Sequence, residues 1–86
     1  MYVILVYDVD QKRVSRINKL LKKYLLWVQN SVFEGELNES LFDSMKGEIK
    51  RKIKESDSVL IYTFRSKSYT DKVIIGLERG TADNVI

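Results

Sequence analysis

The side chains that could do chemistry in this chain are few in kind. Histidine and cysteine are both absent from its 86 residues. Ser-His-Asp and Cys-His nucleophilic sites are therefore excluded, and so are His/Cys zinc sites. Carboxylates, hydroxyls, lysines, arginines and the backbone remain. If the chain is an enzyme, the chemistry left to it is that of a hard cation, Mg²⁺ or Mn²⁺, held by carboxylates and acting on a substrate oxygen. The acid placed for this is Asp8, at the exit of the apolar run over residues 1–7. The plainer alternative is a strand-end acid that hydrogen-bonds its own turn. From the residues alone the two readings weigh the same, because acids in such places mark sites only statistically.

Asp10, two residues on, suggests a second ligand, but its type and place suit a helix N-cap better. It is left out of the metal site. Arg13 and Arg16 follow in the first turns of the same helix, near enough in sequence to Asp8 to hold a phosphate beside it. Lys12, Arg16, Lys19 and Lys23 recur at helical spacing and form a stripe that could track a duplex backbone. Such contacts position nucleic acid without reading bases. A solvated helix face explains the stripe equally well. Lys46, Lys50, Arg51, Lys52 and Lys54 make a second basic patch. Glu48 is spaced to pair with Lys52 at i, i+4, which favours the solvated reading there. The formal net charge of +3 is compatible with a nucleic-acid partner. Ser31 can hydrogen-bond a phosphate or a ligand of the metal, but nothing such as His is present to make it a nucleophile.

The elements that must position these groups follow from periodicity. Residues 2–8 read as a strand rich in Val, Ile, Leu and Tyr. Val14, Ile17, Leu21 and Tyr24 recur at helical spacing, predicting a helix over 11–25. Residues 27–37 read as a second strand, with Gly35 marking a bulge or a close backbone approach. Trp27 stands at its start without an assigned role; Phe33 reads as core or dimer interface, and Glu34 and Glu36 as solvent-facing. Asn38 can cap a second helix whose stripe is Phe42, Met45, Ile49 and Ile53, running to about residue 55. After a turn at 56–58, strands are expected over 59–64 and 72–77, with a short apolar piece at 85–86. The arrangement expected is α+β: one ferredoxin-like βαββαβ domain over residues 1–86, with a short extra C-terminal strand.

Two helices cover only one face of a four-stranded sheet. Yet the first strand is apolar on both faces, Tyr2, Ile4 and Val6 against Val3, Leu5 and Tyr7. The 59–64 strand repeats this, Val59 and Ile61 against Leu60, Tyr62 and Phe64. A domain this small also has a marginal core and no disulfide to support it. The expectation is a homodimer whose two sheets pack together. No run approaches the roughly 20 apolar residues of a membrane span, no leader peptide is apparent, and the absence of Cys fits a cytoplasmic location.

The pair Tyr7-Asp8, a basic helix, and then Val28-Gln29-x-Ser31-Val32-Phe33-Glu34 resemble the small CRISPR-associated adaptation protein family, also described as CRISPR-associated endoribonucleases. Residues 57–62, Asp-Ser-Val-Leu-Ile-Tyr, look like that family's third strand. The Gln-x-Ser-Val-Phe-Glu block is the most specific part, and the likeness runs in order along essentially the whole chain. Leu25-Leu26 departs from it, standing where relatives often carry Gly at the helix–strand turn. The resemblance implies a symmetric homodimer in which the last short strand joins the partner's sheet. It implies that Asp8 of each protomer sits near the two-fold axis, where the pair can bind one Mg²⁺ (or Mn²⁺), with Tyr7, Ser31 and Phe33 in support. It implies metal-dependent nuclease activity on RNA or double-stranded DNA, and a partnership with the CRISPR integrase in which the dimer bridges integrase subunits. A purely non-catalytic scaffold is the main alternative. A toxin-like nuclease of this fold ranks lower, as does an RNA-recognition module, because Tyr62-Thr63-Phe64-Arg65 lacks the glycines of the latter's motif.

Overall fold

A computed structural model describes residues 1–80. The elements are β1 (Tyr2–Asp8), α1 (Gln11–Leu21), β2 (Leu26–Gln29), β3 (Val32–Glu36), α2 (Glu39–Lys52) and β4 (Ser58–Phe64), followed by a 3₁₀ turn at Lys67–Tyr69. The four strands form one antiparallel sheet in the order β2-β3-β1-β4. This is the ferredoxin-like α+β arrangement, with both helices on one side of the sheet.

The ferredoxin-like βαββαβ arrangement is as expected, but the elements read from periodicity run βαβαββ, and two of its pieces differ. Residues 27–37 are a hairpin rather than one strand. Asn30 turns the chain at φ 45°, the left-handed region that asparagine tolerates better than most residues. The Trp27 indole donates to the Asn30 carbonyl at 2.9 Å and clasps that turn. The register shift of the hairpin falls between Trp27 and Gln29. Gly35 marks a close approach: a Cβ there would lie 3.1 Å from Leu25 Cδ2. The second difference is at 72–77, which is not a strand. Strand-forming residues there find no ladder partner among the described residues, and Val73 and Ile75 are 81% and 94% exposed. The apolar piece expected at 85–86 lies outside the described residues.

The helix boundaries have physical causes. The Asp10 carboxylate caps α1 by accepting from the Lys12 amide, and Asn38 caps α2 through the Leu41 amide. α1 ends four residues before the expected 25, because Lys23 and Tyr24 donate to carbonyls three residues back and tighten the last turn. Leu25 still reaches the core from that turn. α2 ends at Lys52, and Ile53 is already extended.

The core lies between sheet and helices. Val3, Leu5 and Tyr7 from β1 meet Phe33 from β3, Ile17, Leu20 and Leu21 from α1, and Met45 and Ile49 from α2. Val59 and Ile61 pack against this cluster, while Leu60 and Tyr62 point away from it. The opposite face of the sheet carries Ile4, Val6, Val32 and Phe64, all half-buried, together with exposed Leu26, Leu60 and Tyr62. No helix among the described residues is long and apolar enough to cross a membrane.

Candidate functional site

Asp8 is the last residue of β1 and pairs across the ladder with Ser58, the first of β4. Alternation along the strand sends Tyr7 into the core and Asp8 to the open side, where it is exposed. Among the described residues its carboxylate takes part in no hydrogen bond or ion pair. The reading of Asp8 as an acid satisfied by its own turn therefore has no geometric support; the acid that serves the turn is Asp10.

Behind Asp8 lies a latch that the sequence did not announce. Asp57 accepts from the Arg13 guanidinium through Nε (2.6 Å) and Nη2 (3.0 Å), from the Asp10 amide (2.9 Å) and from the Lys54 amide (2.8 Å). Its side chain is fully covered, and that of Arg13 is 13% exposed. One carboxylate thus ties the start of α1 to the turn that leads into β4, immediately beside the Asp8–Ser58 pair. Charge-assisted bonds from Arg13 outweigh desolvation and hold the Asp57 carboxyl well below the usual carboxylate range. In return the Asp57 hydrogen bonds raise Arg13 above its ordinary value. Arg13 was expected to hold a phosphate near the metal, but its fork is committed to this latch. The available signal was a lone acid in the 56–58 turn, one residue before a strand that pairs with β1.

The supporting residues are placed unevenly. Tyr7 is buried, and its hydroxyl donates to Asn18 Oδ1 at 3.1 Å. Burial raises its pKa, with the Asn18 contact opposing. Phe33 is fully inaccessible and lies against Tyr7, ring centroids 6.3 Å apart. It packs inside the chain and not across a dimer. Ser31 lies at the tip of the β2–β3 hairpin, where its carbonyl accepts from the Tyr7 amide at 3.1 Å, so the hairpin tip stands at the Asp8 end of the sheet. Glu34 is not solvent-facing: its side chain is 15% exposed and ion-paired with Lys72. Burial, together with Glu34, pushes the Tyr2 hydroxyl up to about 12. Glu36 is 61% exposed and pairs with the N-terminal amine at 3.0 Å.

Arg16 and Lys19 are exposed on the side of α1 that meets α2, and they share a groove with Lys23, Glu48 and Lys52. They and Asp8 therefore belong to opposite sides of the layer and meet only toward one end. Glu48 does not pair with Lys52. It accepts from Lys23 Nζ at 2.6 Å and from the Tyr24 hydroxyl, bonds that lower the Glu48 carboxyl. This joins α1 to α2 and leaves Lys52 without an ion pair among the described residues.

Among the described residues, no group of three or more Asp, Glu, His or Cys side chains could hold a metal ion. Asp8 is an exposed carboxylate on the open side with no hydrogen bond or ion pair among the described residues. An all-oxygen donor suits Mg²⁺ or Mn²⁺, which take one or two carboxylates and complete their shell with water and substrate phosphate. The residues present fit such an ion once a second copy supplies the second acid.

Comparison with known proteins agrees with this fold. Residues 1–72 match the family model described as CRISPR associated protein Cas2. The CRISPR-associated endoribonuclease Cas2 of Methanocaldococcus jannaschii is 48% identical over 87 aligned positions, covering 100% of this chain and 76% of that protein. The protein of the same name from Dictyoglomus turgidum is 42% identical over the full length of both chains. A solved structure described as the crystal structure of cas2 superposes with a TM-score of 0.86 at 52% identity, covering 92% of this chain and 90% of that one. With the family model matched over residues 1–72, the same fold and near full-length likeness, this chain belongs to the Cas2 family of CRISPR-associated proteins.

Proposed function

We propose that this protein acts as a homodimer that cleaves phosphodiester bonds in RNA or double-stranded DNA, using a divalent cation held between two copies of Asp8. The observation that carries this reading is an unpartnered Asp8 at the edge of an apolar sheet face that the chain's own helices do not cover. Packing two such faces about a two-fold axis would bury Ile4, Val6, Leu60 and Tyr62 and bring both acids to one place. Mg²⁺ bound there would neutralise the two carboxylates and polarise a phosphate. The protein's own part is to hold each Asp8 in line. Tyr7 and Phe33 anchor β1 beneath it, and the Asp57–Arg13 latch fixes the chain just beyond it. The names of the relatives, CRISPR-associated endoribonucleases, support the class of reaction.

A second role of the same dimer is a bridge between CRISPR integrase subunits that holds duplex DNA. It is favoured by the single acid per chain, sparse for a strong nuclease, and by the cations on the helix side. The test is cleavage of single-stranded RNA and duplex DNA by highly purified wild type and Asp8→Asn, in Mg²⁺, Mn²⁺ or EDTA. The nuclease reading expects cleavage by wild type alone, abolished by EDTA, with the dimer intact in both proteins. Equal cleavage by the variant would remove Asp8 from the chemistry. No cleavage by either protein would leave the bridge as the function.

A further inference from the structure

The two basic stripes seen in the sequence meet in one place among the described residues. A cleft of about 410 Å³ between the start of α1 and the end of α2 is lined by Lys12, Arg13, Arg16, Arg51, Lys52 and Lys54. All six lining residues are cationic. Arg13 is spent on Asp57; the other five are exposed and have no ion pair among the described residues.

Folding alone does not account for this arrangement. Cations at the end of α2 suit the negative end of a helix dipole, but cations at the start of α1 face the positive end. The first turn of α1 contains no acid to offset them. Asp57 neutralises Arg13 and the Asp10 carboxylate caps the helix start, but the other five cations gathered where α1 starts and α2 ends have no ion pair among the described residues. An anionic occupant would relieve their mutual repulsion.

We propose that this cleft binds successive phosphates of a nucleic-acid backbone, and that Arg51, Lys52 and Lys54 of the α2 end are phosphate-binding residues alongside Lys12 and Arg16. The proposal rests on the nucleic-acid reading above and deepens it. A wholly cationic lining separates this occupant from an acidic protein segment: protein interfaces deplete charge, and lysine in particular, at their centre and use aromatic anchors there. The cleft has no such anchor. It stands at the end of the domain where Asp8 lies, since α1 starts three residues after Asp8 and the turn after α2 leads to Ser58, its ladder partner. A backbone passing from the cleft toward Asp8 would be held on either side of a target bond.

The test is fluorescence anisotropy of a labelled duplex and a labelled single-stranded RNA against salt. Wild type, Arg51→Gln/Lys52→Gln and a charge-matched control, Lys46→Gln/Lys50→Gln on the same helix outside this cleft, are compared. Circular dichroism and Mn²⁺ binding check that fold and Asp8 site survive. The expected result is that the cleft variant alone lowers the slope of log K against log salt by about 2 for duplex, with about tenfold or greater loss of affinity at fixed salt. Equal slopes for both double variants would overturn the cleft and leave nucleic-acid binding standing elsewhere. No binding by wild type would overturn both this proposal and the function it rests on. Poly-glutamate that competes as well as duplex at equal charge would overturn the choice of occupant.

Discussion

On the helix side of the sheet, Val3, Leu5 and Phe33 are wholly inaccessible, and Val59 and Ile61 of β4 pack onto them. One residue along that same strand, Leu60 and Tyr62 on the other side are 53% and 55% exposed. Both sides are apolar, and both are read from the same alternating residues. The difference is the cover. α1 and α2 supply Ile17, Leu20, Leu21, Met45 and Ile49 to one side, while the other receives only part of the segment after β4, around Lys72 and Ile74. The proposed homodimer would cover this second apolar face. Asp8, the acid that ends this face, has no hydrogen bond or ion pair among the described residues. The covered side thus accounts for the fold, and the proposed function draws on the other.

The sharpest way to separate the two sides is to damage each. Phe33→Ala, beneath the helices, should cost about 3–5 kcal/mol, the usual range for a buried aromatic. For a domain this small that approaches the whole stability; urea unfolding would measure it. A cost below about 1 kcal/mol would mean that the core is not where the structure places it.

Asp57→Asn should come next, lowering the melting temperature by several degrees, because it takes the charge from a covered carboxylate that accepts four hydrogen bonds. The effect has a pH signature. A carboxyl held below its ordinary value contributes its full stability above the unfolded pKa, near 4, and loses it as pH falls toward the folded value. The gap between wild type and variant should therefore be constant from about pH 7 to 5 and shrink below about pH 4. A gap that is constant down to pH 2 would show that the charge of Asp57 is not what the latch uses. Leu60→Glu, on the open face, should have the smallest effect on the chain's own fold, within about 0.5 kcal/mol as for exposed positions generally. It should nevertheless turn a dimer into a folded monomer by light scattering. A variant that remains dimeric would move the interface off this face.

How far this was legible in the sequence differs along the same lines. β1, β4 and both helices announce themselves through period and caps, because burial against one partner layer imposes a regular spacing. The hairpin was hidden because Gln29-Asn30-Ser31 interrupts two β-forming runs without the Gly or Pro that usually marks a turn; Asn30 adopts the left-handed conformation in their place. The 72–77 segment misled for the opposite reason: its residues favour a strand, but a strand also needs an edge to pair with. In the site, the capping role of Asp10 could be read from position, whereas position alone left Asp8 divided between metal ligand and turn acid. The partnership of Arg13 with Asp57 spans 44 residues, and that of Lys23 with Glu48 spans 25, so neither has a local signal. The cationic cleft is hidden for the same reason, since its two halves are joined only by the packing of α1 on α2.

The most direct measurement of whether the uncovered face makes the site is Mn²⁺ binding by electron paramagnetic resonance on wild type, Asp8→Asn and Leu60→Glu at equal chain concentration. If two faces must meet to bring two acids together, wild type binds one tight Mn²⁺ per two chains, and both variants lose it, one for want of the ligand and the other for want of the partner. One tight ion per chain, or undiminished binding by monomeric Leu60→Glu, would contradict the account, because Asp8 would then hold its metal without a second copy.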